Sequence, residues 1–142
     1  VGSRPRSAAF TKSGNIAYAT AEISGEVVKV DIVKAKIIKT GTTGGAKSKP
    51  KDVIISKDEK TIYVAGGRAN KVVVMDANTL EIIKEIPVGK RVWGLAMSGN
   101  GEYIFTTNGV SGTVSVIDTG KNEVIKTIKV GEFPWGVVVK DN

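Results

Sequence analysis

Asp76-Ala-Asn-Thr-Leu-Glu-Ile-Ile-Lys-Glu-Ile-Pro-Val-Gly89 returns 42 residues later as Asp118-Thr-Gly-Lys-Asn-Glu-Val-Ile-Lys-Thr-Ile-Lys-Val-Gly131. Arg91-Val-Trp-Gly94 matches Phe133-Pro-Trp-Gly136 at the same offset. A shift of 45 residues in the other direction finds a third copy, with Tyr63 on Tyr18, Asp76 on Asp31, Gly89 on Gly44 and Pro50 on Pro5. The three extra residues belong to a longer loop in the Thr40–Lys49 stretch, rich in Gly, Thr and Lys. A period of this size marks an array of repeated supersecondary units.

Working outward, each copy reads as four short strands. In the second copy, Asp52–Ser56 is an apolar run of inner-strand length, and Thr61–Ala65 and Lys71–Asp76 are runs of β-formers. Leu80–Val88 is a more polar outer strand, and polar or Gly-rich turns separate all four. No segment sustains a helical period. Four strands per unit of this length is the blade of a β-propeller. The expected fold is all-β: three four-stranded blades, about 4–46, 47–89 and 90–131, plus the inner strand of a further blade in 132–142.

Composition narrows the chemistry. The chain has no Cys and no His, which removes disulfides, thiolate ligands, the commonest general base and the usual haem and zinc ligands from these residues. The net charge is +7, carried mainly by lysines scattered between apolar residues, as on the solvated face of strands; an acidic protein partner is the functional alternative. No nucleic-acid partner is expected. No apolar run reaches the ~18 residues of a membrane span. Val1 reads as a cut, a processed start or the edge of a fragment, so export stays open.

The motifs together resemble the YVTN propeller repeat. Its first element stands here as Trp93-Gly-Leu-Ala96 and Pro134-Trp-Gly-Val137, and its turn as Ser56-Lys-Asp-Glu59 and Ser98-Gly-Asn-Gly101. Its name motif stands as Tyr18-Ala-Thr-Ala21, Tyr63-Val-Ala-Gly66 and Phe105-Thr-Thr-Asn108, and its third strand as Val114-Ser-Val-Ile-Asp118. The Arg-Val-Trp-Gly and Phe-Pro-Trp-Gly pair is similar to bacterial propellers associated with PQQ-dependent, quinoprotein catabolism. That resemblance implies a periplasmic or extracellular accessory protein.

The phase of the repeat bears on closure. Val1-Gly2 aligns with the ends of outer strands at Val88-Gly89 and Val130-Gly131, and an extra inner strand, Trp135–Lys140, follows the third blade. This predicts the C-terminal part of a larger ring, completed by further blades from missing sequence or another chain. Two copies forming a six-bladed ring is the alternative.

Candidate site residues follow from the same alignment. Arg6, Lys51, Trp93 and Trp135 occupy one position in successive inner strands, and the preceding loop adds Arg91 and Phe133. Superposed repeats would set these side chains in an arc at one mouth of the channel, a surface for an anionic or aromatic ligand or a protein partner. The competing reading makes the tryptophans packing residues between blades. Arg68 and Asn108 are assigned to turns between second and third strands, and Asp31, Asp76 and Asp118 to structural turn acceptors. No catalytic residue, metal ligand or cofactor is assigned. The expected function is a non-catalytic binding scaffold, an accessory to a redox enzyme system. The alternative is a propeller enzyme, a lactonase-like hydrolase or cofactor-bearing oxidoreductase, taking catalytic residues partly from missing blades. A haem-binding propeller is a third, set aside because the axial His is absent.

Overall fold

In the computed structural model, which describes residues 1–140, the repeat becomes three antiparallel four-stranded sheets. The first is β1 (Pro5–Phe10), β2 (Ile16–Ala21), β3 (Glu26–Asp31) and β4 (Lys36–Thr42). The second is β5 (Val53–Ile55), β6 (Thr61–Gly66), β7 (Lys71–Asp76) and β8 (Ile82–Pro87). The third is β9 (Val92–Met97), β10 (Tyr103–Asn108), β11 (Thr113–Asp118) and β12 (Glu123–Lys129). In each sheet the strands lie in sequence order, so each is a meander of hairpins, the blade of a partial propeller. The loop expected over Thr40–Lys49 starts later, because β4 runs through Thr42.

The middle blade shows why its strands read as unbroken apolar runs. Successive side chains of a strand point to opposite faces. Ile62, Val64, Val73 and Met75 face Tyr18 and Val27 of the first blade. Their neighbours Tyr63, Ala65, Val72 and Val74 face Val92, Leu95, Ile104 and Ile117 of the third. The core is therefore two apolar layers, one on each side of the middle sheet. Tyr18 adds a polar tie, its hydroxyl donating to Ala77 O at 2.7 Å.

The outer hairpins repeat one irregularity. The β3–β4, β7–β8 and β11–β12 ladders all shift register, between Lys29 and Val30, Val74 and Met75, and Val116 and Ile117. Ile38, Ile83 and Ile125 are the unpaired residues, and all three are exposed. A bulge in the same place of each blade adds twist to the outer strand. The recurrent aspartates cap turns: Asp76 Oδ1 accepts the Asn78 and Thr79 amides at 2.8 and 2.7 Å, and Asp31 and Asp118 accept those of Lys34 and Lys121.

The segment expected as an extra inner strand, Trp135–Lys140, carries no strand ladder; residues 141 and 142 lie outside the described residues. A strand is defined by a hydrogen-bonded neighbour, and none of β1–β12 pairs with it. It nevertheless takes the place of an inner strand beside the third blade. Thr20 Oγ1 accepts the Ser7 amide at 3.2 Å and lies 3.5 Å from Lys51 O in the next blade. Thr107 repeats the pattern, accepting the Gly94 amide at 2.9 Å and donating to Trp135 O at 3.1 Å. Thr107→Val is expected to cost about 1 kcal/mol and to raise amide exchange selectively over 133–140. Unchanged exchange there would show that the hydroxyl does not hold the segment.

Candidate site at the channel mouth

Arg6, Lys51, Trp93 and Trp135 converge on one cavity of about 230 Å³, as the repeat predicts, with Ser7, Asp52, Gly94 and Gly136 completing its wall. The local backbone explains why the position recurs. Two residues before each of the four, the chain turns through a left-handed conformation, at Arg4 (φ 61°), Lys49 (φ 53°), Arg91 (φ 61°) and Phe133 (φ 50°). A non-glycine residue there is strained and persists only where its surroundings hold it. Backbone bonds do so: Glu22 N–H donates to Arg4 O at 2.9 Å and Gly109 N–H to Arg91 O at 2.8 Å.

This turn corrects two expectations. Arg91 and Phe133 do not line the channel-mouth cavity. The left-handed residue turns its side chain to the rim, where Arg91 lines a groove with Arg68 and Lys90, and Phe133 lines one with Val110. Asn108 is also misplaced by the sequence reading. It is the last residue of β10, paired with Thr113 and fully buried. The left-handed turn residue in the corresponding part of the middle blade is Asn70 (φ 56°), whose Oδ1 accepts the Arg91 amide at 2.9 Å.

The two indoles lie with centroids 4.7 Å apart at 42°. Trp93 is half-buried and Trp135 is 64% exposed. A Cβ on Gly109 would fall 2.3 Å from Trp93 Cζ3, so the ring rests on bare backbone there. Trp93 therefore packs and lines the cavity at once, while Trp135 presents most of its surface.

Sequence reasoning missed two carboxylates. Glu22 is 7% exposed and sits among three cations, with Lys51 Nζ at 2.7 Å, Arg4 Nε at 3.3 Å and Arg6 Nε at 3.5 Å. Burial pushes its carboxyl up, but the hydrogen bond and charge of Lys51, with Arg4 and Arg6, outweigh this and hold it below the usual carboxylate range. In the repeat alignment Glu22 falls on Gly67 and Gly109, and a lone charge on a glycine position was the available signal. Asp52 joins all three blades: Oδ1 accepts the Ser7 hydroxyl at 2.6 Å and the Val53 amide at 2.9 Å, and Oδ2 the Leu95 amide at 2.9 Å. Chemically, the cavity offers cations on one wall and indoles on the other, while its acids are engaged. Among the described residues no acidic cluster is arranged to hold a metal, and no helix is long and apolar enough to cross a membrane.

A family model described as "Lactonase, 7-bladed beta-propeller" matches residues 1–133. The chain belongs to this family. Among solved structures it is similar to the hydrazine synthase of Kuenenia stuttgartiensis, with TM-score 0.87 and 21% identity, over 94% of this chain and 38% of that one. It is also similar to a streptogramin B lyase, with TM-score 0.81 and 15% identity, over 96% of this chain and 45% of that one. At these identities the likeness concerns fold, and the chain spans less than half of each of those structures. No curated protein matches it in sequence.

Proposed function

We propose that this chain is a non-catalytic, ligand-binding part of a propeller, holding a planar anionic group at the channel mouth. The observation that carries this reading is the shared cavity, with Arg6 and Lys51 on one side and Trp93 and Trp135 on the other. A cation wall can meet a carboxylate while an indole face stacks on the attached ring. The wider setting, a periplasmic or extracellular accessory to a redox system of the quinoprotein kind, rests on the repeat resemblance. Further blades or an acidic protein are the proposed partners, and no cofactor is proposed for these residues.

Family membership favours a second reading, a lactonase-like hydrolase. Hydrolysis needs a base to take a proton from water. Asp52 accepts three hydrogen bonds that tie the three blades together, and Glu22 is ion-paired with three cations, so both carboxylates are already engaged in holding the structure. In that reading the base comes from outside this cavity.

Titration with 2-naphthoate, followed by tryptophan fluorescence, separates these readings. Quenching is expected, with Arg6→Gln weakening it about tenfold and 2-naphthylmethanol giving none. Equal response to the alcohol would remove the anionic ligand. Steady, saturable acid release from a δ-lactone in a pH-stat, proportional to protein concentration, would sink the non-catalytic reading.

A further inference from the structure

The grooves that receive Arg91 and Phe133 are repeat-equivalent, each between the β2–β3-type turn of one blade and the left-handed loop entering the next. The first, about 460 Å³, is lined by Arg68, Asn70, Lys90, Arg91 and Val110. The second, about 280 Å³, has Val110 and Phe133 over a floor that includes Gly109 and Gly112, with Lys129 and Glu132 also in its lining. Val110 lines both, so the grooves are contiguous.

Their chemistry differs sharply. Among the described residues, the side chains of Arg68, Lys90 and Arg91 make no ion pair, whereas Arg4, Arg6 and Lys51 surround Glu22. Three uncompensated cations around one groove repel each other and favour an anion. The backbone beneath them is fixed: Arg68 N–H donates to Ser48 O, Lys90 N–H to Ser111 Oγ, Arg91 N–H to Asn70 Oδ1 and Val110 N–H to Lys90 O. Next door, Val110 and Phe133 are 53% and 63% exposed. Exposed apolar side chains beside an unpaired basic cluster on a rigid turn scaffold fit an interaction surface.

We propose that this rim strip docks a peptide segment in which acidic residues are followed by apolar ones. The carboxylates lie over Arg68, Lys90 and Arg91, and an apolar side chain enters the groove between Val110 and Phe133. A free phosphate or nucleic acid would use the first groove and leave the second empty; the peptide uses both. This proposal is independent of the channel-mouth ligand.

The test uses the full chain and a fluorescein-labelled peptide of three Glu followed by Gly, Leu and Phe, read by anisotropy. Saturable binding is expected, weakening as salt is raised because the contacts are solvent-exposed charges. Arg68→Glu with Lys90→Glu should weaken it at least about tenfold. Phe133→Asn, a residue that tolerates the left-handed backbone, should weaken it about fivefold. Unchanged melting temperatures of these variants show that folding is intact; a variant that melts early is replaced by Arg68→Gln or Val110→Ser, with the same direction expected. The proposal is overturned if a peptide with Ser in place of Leu and Phe binds equally well. It is also overturned if a single-stranded DNA decamer or tripolyphosphate binds more tightly than the peptide, or if the charge-reversed variant binds as wild type.

Discussion

Glu22→Ala is expected to destabilise the chain by about 3 kcal/mol, read as a lower urea midpoint at unchanged m-value. The side chains of Lys51 and Arg6 are only 12% and 26% exposed, so removing the carboxylate leaves two partly desolvated cations facing each other. Arg4, 57% exposed, is screened by water and adds little. Glu22→Gln keeps an oxygen for Lys51 but not the charge, and its loss should fall between Ala and wild type. The pH dependence follows from the sign of the shift. The folded carboxyl is held below its ordinary 4.5. Its contribution is therefore fully present above that value and is lost as pH falls through the lowered one. Wild type should lose stability in acid faster than Glu22→Gln. The same substitution should tighten anion binding at the channel mouth, because the cations lose their internal partner. A loss of less than about 0.5 kcal/mol would mean that water, not Glu22, already satisfies Lys51.

What the sequence made readable, and what it hid, divides along one physical line. The blades were legible because their determinant is a pattern of residue types at fixed spacing. The unbroken run Lys71-Val-Val-Val-Met-Asp76 is apolar on both faces because a sheet lies against each. The convergence of Arg6, Lys51, Trp93 and Trp135 was legible for the same reason, since equivalent positions in successive blades share a direction. The aim of Arg91 and Phe133 was not legible. Both sit at positive φ, where glycine or asparagine would have advertised the turn and arginine and phenylalanine do not. Nor was the role of Glu22 or Asp52, because each departs from the repeat, falling where other blades carry glycine or serine. Their partners come from neighbouring blades, and a pattern within one blade cannot supply them. The fold follows from what the copies share, and the site's electrostatics from where they differ.

Asn108→Ala is expected to cost about 3 kcal/mol, more than its small volume suggests. Asn108 is fully buried; its Oδ1 accepts the Thr106 hydroxyl at 3.1 Å, and its Nδ2 donates to Thr113 Oγ1 at 3.1 Å and Ser115 Oγ at 2.9 Å. Alanine leaves those hydroxyls short of a partner inside the third blade. The space is not readily refilled, since Gly89 already packs so closely that a Cβ there would lie 2.6 Å from that of Asn108. Asn108→Asp separates the polar network from simple volume. It keeps the shape but places a carboxylate in a desolvated site, so it should be destabilised more at neutral pH than in mild acid, where protonation removes the charge. The consequence reaches the channel mouth because Gly109, the next residue, is the backbone on which the Trp93 ring lies. Loosening Asn108 should therefore change the Trp93 and Trp135 emission and weaken 2-naphthoate binding at temperatures where the blade is still folded. Loss of stability with unaltered indole emission would confine Asn108 to holding the sheet together. Loss of both would make it the residue that ties the stability of the third blade to the geometry of the site.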